Sequence, residues 1–185
     1  MIDLKEINKS WTLFLDRDGV INYEKKNEYV LHWDEFVFMP GVKDALKILN
    51  EFFDVIVIVT NQKCIGRGLL TVDGLNNIHQ QMLNEIYAAN GRVDKIYFCP
   101  DLEDDSLNRK PNHGMALQAK NDFPQIDFSK SLMVGNKLSD MQFARNAGIA
   151  SVFAATTNPN TEFPHPLIDL RVNDLLDFAT ALRKA

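Results

Sequence analysis

The sequence predicts an α/β fold: a mainly parallel sheet covered on both faces by helices, in one domain spanning residues 1–185. Three observations predict it. Short, continuous apolar runs recur along the chain, segments with helical spacing lie between them, and 185 residues suit one domain of ordinary size. Runs that are apolar throughout, rather than alternating, suit strands buried on both faces, as parallel strands are between two helical layers. Strand and helix in alternation then argue for right-handed βαβ units.

Taken in order, the first strand is TLFL, ending at Asp16. After Pro40-Gly41 a helix is marked by Val42, Ala45, Leu46, Leu49, Phe52 and Phe53 in i, i+3, i+4, i+7 order. VIVIV at 55 to 59 is the second strand, and Leu75, Ile78, Met82, Ile86 and Tyr87 mark a helix that stops at Asn90-Gly91. KIYF before Cys99 is the third strand, with a helix expected from near Asn112. SLMV before Gly135 is the fourth, with a helix from near Ser139, and ASVFA after Ile149 is the fifth. The stretch TTNPNTEFPHP at 156 to 166 reads as a surface loop, and a last helix is expected from near Asn173.

Composition narrows the function. Lys and Arg number 20 against 25 Asp and Glu, a net charge of −5 that disfavours nucleic acid, whose phosphates demand a basic surface. The longest apolar run is far too short to cross a bilayer, and MIDLKEINKS lacks the apolar core of a signal peptide, so no membrane association is expected. Cys64 and Cys99 are far apart and belong to no CxxC or Cys/His cluster, which makes a reducing cytoplasm the expected compartment. A monomer is the expected state.

In open α/β sheets ligands bind beyond the carboxyl ends of the strands. Those ends carry Asp16-Arg17-Asp18-Gly19, then Thr60-Asn61-Gln62, then Arg109-Lys110-Pro111, and finally Gly135-Asn136-Lys137-Leu138-Ser139-Asp140. A carboxylate at a strand terminus can attack phosphorus, while one two residues on, turned back by Gly19, can protonate the leaving oxygen and then activate water. Asp16 and Asp18 suit these two roles. Two carboxylates repel a phosphate, so a cation is required, and Mg²⁺ takes one or two carboxylates, waters and phosphate oxygens. Thr60 and Asn61 can donate hydrogen bonds to phosphoryl oxygens, and Lys110 can neutralise the charge.

LFLDRDGVIN, IVTNQ, IGRG, RKP and MVGNKLSDMQFARNAG, in that order, resemble the haloacid dehalogenase (HAD) superfamily of phosphatases over nearly the whole chain from about Trp11. Within it the chain is similar to the subfamily of D-glycero-D-manno-heptose 1,7-bisphosphate phosphatases and histidinol-phosphate phosphatases. The resemblance implies a three-layer, doubly wound, Rossmann-like fold with its first strand central. It also implies no large cap domain, and the short segment from Asn22 to Pro40 leaves no room for one. It implies Asp16 as nucleophile, Asp18 as general acid and base, and Thr60, Arg109 and Lys110 as orienting groups. Mg²⁺ is implied on the Asp16 carboxylate, the Asp18 carbonyl and Asn136, with Asp140 assisting through water. Glu24, Lys25, Lys26, Asn27, Asn61, Gln62, Lys63 and Lys137 are implied near the sugar, and Arg67 of IGRG joins them as a substrate-binding candidate.

Two departures qualify the resemblance. Heptose bisphosphate phosphatases usually carry a zinc loop ahead of RKP, with a Cys-x-His and a Cys-x-Cys pair, whereas Cys99-Pro100-Asp101-Leu102-Glu103-Asp104-Asp105-Ser106-Leu107-Asn108 keeps one cysteine, so no structural zinc is expected. Asn136 stands where the family usually has an aspartate ligand, which removes a charge from the metal. His32, His79, His113 and His165 share no ligand spacing and read as packing or surface residues, Cys64 as the more accessible of the two thiols, and Arg17 and Arg67 equally as plain turn arginines.

The expected activity is therefore Mg²⁺-dependent hydrolysis of a phosphomonoester through an aspartyl phosphate. A heptose bisphosphate losing its 7-phosphate is the first substrate, with histidinol phosphate or another sugar phosphate the alternative. More remote are a weakened phosphosugar-binding member, suggested by Asn136, and a phospho-receiver module, against which the early position of Asp16 and the presence of Asp18 argue.

Overall fold

The computed structural model describes residues 2–185. Six strands, β1 (Trp11–Leu15), β2 (Phe53–Asn61), β3 (Lys95–Cys99), β4 (Ser131–Gly135), β5 (Ala150–Ala154) and β6 (Leu170–Val172), form one sheet in the order β3-β2-β1-β4-β5-β6. Every pairing is parallel. The helices are α1 (Val42–Phe52), α2 (Lys63–Gly66), α3 (Val72–Ala88), α4 (Gly114–Asp122), α5 (Leu138–Ala147) and α6 (Leu175–Lys184).

Alternation along the strands builds two cores. Leu13 and Leu15 of β1, Ile56 and Ile58 of β2, and Leu132 and Val134 of β4 face one side, where they meet α1, α3 and α6. Phe14, Val57, Val59 and Met133 face the other, against Met115 and Ala116 of α4 and Phe143 and Ala144 of α5. The fold is thus a three-layer α/β/α sandwich, as the apolar runs predict.

Strand order reverses direction between β1 and β4, and at such a switch point the two carboxyl ends leave a crevice between diverging connections. Asp16 follows the end of β1 and Asn136 follows the end of β4, so both lie at that crevice.

Some elements differ from the sequence reading. Phe53, which fits the helical spacing, is the first residue of β2: it is fully buried, has an extended backbone and pairs with Trp11. β6 is a three-residue edge strand with two half-buried members, too short to leave an apolar run. Cys64 is no more accessible than Cys99; both are fully buried. Among the described residues no helix is long and apolar enough to cross a membrane.

Candidate active site

β1 delivers Asp16 to the crevice with its amide held by the Val134 carbonyl at 2.9 Å. The chain then turns sharply: the Arg17 carbonyl accepts from the amides of Val20, Ile21 and Asn22. Gly19 has φ +90°, and a Cβ there would collide with the Asn136 side chain, so both backbone conformation and space require glycine. The turn brings the Asp18 side chain back to the same cavity as Asp16.

Lys110 joins the strand ends. Its ammonium lies 2.7 Å from Asp16 Oδ1 and 2.7 Å from Asp140 Oδ1, with all three side chains nearly out of contact with water. Asn61 clamps its backbone reciprocally, Nδ2 donating to the Lys110 carbonyl and Oδ1 accepting from its amide, both at 3.0 Å. One N–H of the Asn61 amide is used on Lys110, which leaves the second as a donor at the cavity. Asp140 also accepts the Lys137 amide at Oδ2, 3.1 Å away, which caps α5.

Charge follows from this geometry. Burial, helped by the Asp140 carboxylate and opposed by Lys110, pushes Asp16 up to about 7. Burial works against the Lys110 ammonium, but Asp140 and Asp16 overcome it and raise its pKa. With Asp16 ionised, two carboxylates share the one buried ammonium of Lys110, and Lys137 adds a more distant positive charge.

Asp18 is held differently. Burial would raise its pKa, yet the Arg17 guanidinium and hydrogen bonds from Asn22 and Gln62 hold it below the ordinary carboxylate range. Arg17 Nη2 donates to both Asp18 oxygens at 2.9 and 3.0 Å, Asn22 Nδ2 to Oδ1 at 2.9 Å, and Gln62 Nε2 to Oδ2 at 2.8 Å. Gln62 Nε2 also donates to Thr60 Oγ1 at 3.0 Å, which ties the end of β2 to Asp18.

Asn136 is fully buried, with Nδ2 donating to Thr157 Oγ1 at 2.5 Å and to Glu24 Oε2 at 3.2 Å. A carboxylate can only accept, so the nitrogen must face Glu24, and Oδ1 is left buried without a donor. An orphaned amide oxygen behind a carboxylate-bearing cavity suits a hard divalent cation such as Mg²⁺, and Asn22 Oδ1 is buried and unpartnered in the same way. The donor set is an amide and carboxylates, with nothing soft in it.

The cavity itself holds about 130 Å³, room for a phosphoryl group and the atoms next to it. Of the predicted residues, Asp16, Asp18, Thr60, Asn61, Gln62, Lys110 and Asp140 line it from the strand ends, and Glu24, Lys25 and Lys137 line its mouth. Lys137 pairs with Glu24 at 2.5 Å, and Lys25 with Glu35 at 3.0 Å. The remaining candidates lie outside that lining, the fully buried Asn136 among them. Arg109 Nε donates to Asp104 Oδ1 at 3.0 Å, Lys63 is 3.8 Å from the same carboxylate, and Arg67 sits over the Tyr29 ring at 5.7 Å. Lys26 and Asn27 border a neighbouring recess with Thr157 and Asn158.

The segment Asp101–Asn112 is tied by polar contacts. Ser106 Oγ donates to Asp101, Asn112 Nδ2 to the Asp104 and Ser106 carbonyls, and Arg109 to the Asp101 carbonyl.

Sequence reasoning missed four contributors. Asn22 stands inside the DRDGVIN motif but its bond to Asp18 is not readable from spacing. Thr156, Thr157 and Asn158, in the loop after β5, grip the Gly19 carbonyl, the Asn136 amide and the Asn136 carbonyl respectively. Polar residues in a proline-containing loop carry no signal of such contacts.

The chain is similar to known phosphatases. A family model described as polynucleotide kinase 3 phosphatase matches residues 12–156. The chain is 37% identical, over 92% of its length and 94% of the relative's, to D-glycero-beta-D-manno-heptose-1,7-bisphosphate 7-phosphatase of Yersinia pestis. It is 32% identical, over 95% of its length and 93% of the relative's, to the corresponding alpha-heptose enzyme of Mycobacterium tuberculosis. Among solved structures, D,D-heptose 1,7-bisphosphate phosphatase from B. bronchiseptica, complexed with magnesium and phosphate, superposes with a TM-score of 0.84 at 30% identity, covering 95% of this chain and 99% of that one.

Proposed function

We propose, for a chain that belongs to the haloacid dehalogenase phosphatases and to their heptose 1,7-bisphosphate phosphatase branch, that it hydrolyses the 7-phosphate of D-glycero-D-manno-heptose 1,7-bisphosphate with Mg²⁺. It acts as a single cytoplasmic domain, a monomer over residues 1–185, on a small phosphorylated substrate. The observation that carries this reading is the buried Asp16–Lys110–Asp140 cluster at the β1/β4 crevice, a nucleophile held in place by a cation that a second carboxylate anchors.

Lys110 takes Asp16 Oδ1, so Oδ2 is the oxygen left to meet phosphorus. Attack forms an aspartyl phosphate as the P–O ester bond breaks; Asp18, ionised in the free protein by its Arg17, Asn22 and Gln62 contacts, has to take up a proton when the phosphate dianion enters, and it passes that proton to the leaving oxygen. Asp18 then takes a proton from water, whose oxygen attacks the same phosphorus, releasing phosphate and restoring the Asp16 carboxylate. Asp16, the Asp18 carbonyl and Asn136, with Asp140 through water, would hold Mg²⁺, which supplies positive charge where two anions must approach. Thr60 Oγ1, at the end of β2, faces the same cavity as a donor to a phosphoryl oxygen. Arg109, Lys63, Arg67, Lys26 and Asn27 serve the outlying part of the substrate, Glu24 and Lys137 the part at the mouth.

The test is phosphate release from the heptose bisphosphate, with histidinol phosphate for comparison, with Mg²⁺ and with chelator. Loss of the 7-phosphate signal in the phosphorus NMR spectrum, only when Mg²⁺ is present, is expected. Absence of release from pure protein with Mg²⁺ overturns the proposal.

A further inference from the structure

Arg17 is 1% exposed, so every N–H of its guanidinium has to be met inside the protein. Its Nε and Nη2 face Asp18, at 3.3 Å and at 2.9 and 3.0 Å. Its Nη1 is 3.1 Å from His79 Nε2. A guanidinium only donates, which makes His79 Nε2 the acceptor and puts the imidazole proton on Nδ1. His79 is 5% exposed, on the face of α3 that carries the core residues Leu75, Ile78 and Met82, and its ring stands edge-on to Phe98 at 6.4 Å. A core-facing helix position is ordinarily apolar. Here it holds a polar ring whose acceptor nitrogen meets a cation one residue from the nucleophile.

We propose that His79 is a positioning residue for phosphoryl transfer: by accepting from Arg17 it fixes the guanidinium, which in turn fixes the orientation of the Asp18 carboxylate, the group that takes up a proton and passes it to the leaving oxygen. The inference rests on the phosphatase reading above. A neutral acceptor suits the task better than a carboxylate. An acid at position 79 would compete with Asp18 for the guanidinium charge, whereas an imidazole satisfies one N–H and leaves the charged fork directed at Asp18. Burial, and then the Arg17 charge, push the imidazole down to about 3, which keeps Nε2 an acceptor at neutral pH.

Leaving-group chemistry separates positioning from mere packing. An alkoxide leaving from a sugar phosphate needs the Asp18 proton, while 4-nitrophenolate leaves without one. His79→Leu is expected to lower kcat/KM for the heptose bisphosphate by about 10- to 100-fold, part of what one general acid supplies, and for 4-nitrophenyl phosphate by less than about 3-fold. His79→Gln places its terminal amide near the site of Nε2 and is expected to recover the sugar-phosphate value to within about 3-fold. His79→Asn, with the same chemistry one carbon shorter, is expected to fall with Leu, so the Gln and Asn pair carries the test if the Leu variant does not fold. Equal losses on both esters, no loss in Leu and Asn, or a Gln variant as poor as Asn would overturn the proposal. Wild-type protein inert on both esters would instead bring down the phosphatase reading itself.

Discussion

Lys110 stands between Asp16 and Asp140 with 2.7 Å contacts to each, buried to 4% exposure. Removing one partner of a buried ion pair leaves charge without compensation, at a cost of roughly 3–5 kcal/mol. Lys110→Met is expected to lose about that much stability at pH 8 in the absence of Mg²⁺. The loss should shrink as pH falls. Burial raises Asp16 to about 7 in the folded protein, against about 4 in an unfolded chain, so between these values the folded state takes up a proton that the unfolded state does not. Protonation therefore relieves the unpaired charge, and more so once the Lys110 ammonium is gone. Urea melts at pH 8 and pH 5.5 measure the difference; a deficit independent of pH would refute the account. Asp16→Asn, by contrast, keeps the shape but not the nucleophile. Turnover should fall by at least ~10⁴-fold with an unchanged circular dichroism spectrum, and an active variant would remove Asp16 from that role.

At the scale of elements, the proposed Mg²⁺ site depends on a loop that closes over two strand ends. Asn136 follows β4, its amide nitrogen is fixed by Glu24 and Thr157, and Thr156 holds the Gly19 carbonyl beside it. Orientation of a ligand by its neighbours typically controls metal affinity by about 10- to 100-fold. Thr157→Val is therefore expected to raise the Mg²⁺ concentration that half-saturates the protein by roughly 10-fold. Asn136→Asp adds a charge and should lower it by a similar factor, read for both variants from the Mg²⁺-induced shift in melting temperature. Unchanged titrations would show that position 136 does not bind the metal. Asp16, directly after β1, and Thr60, near the end of β2, were readable because a continuous apolar run marks each buried strand and the polar residues that close it have few other reasons to be there; Lys110 and Asp140, in the connection after β3 and on α5, were readable as charged residues in the segments that follow such runs. Thr157 and His79 were not. Their partners, Asn136 and Arg17, are 21 and 62 residues away, and the contacts exist only once the β5 loop and α3 have packed. Helical spacing places His79 near the apolar face of α3 but cannot say what its ring meets.

Across the whole molecule, the site is assembled from segments that follow β1, β2, β3, β4 and β5, which all belong to one sheet with a core on each face. A ligand that bridges those segments should therefore stabilise the entire fold. Mg²⁺ with inorganic phosphate at about 100 times the dissociation constant corresponds to roughly 2.7 kcal/mol, if the unfolded chain binds neither. For a domain of this size each kcal/mol is worth about 2–4 °C, so a rise in melting temperature of about 5–10 °C is expected, reversed by chelator. Folding as a single unit adds a second requirement: far-ultraviolet circular dichroism and the fluorescence of Trp11 and Trp33 should move together, with and without ligand. Trp11 opens β1, and Trp33 lies in the segment between β1 and α1, stacked on Phe36. If the Trp signal shifted on heating before the helices melted, or if ligand raised only one of the two transitions, the site would belong to a part of the molecule that opens independently of the sheet.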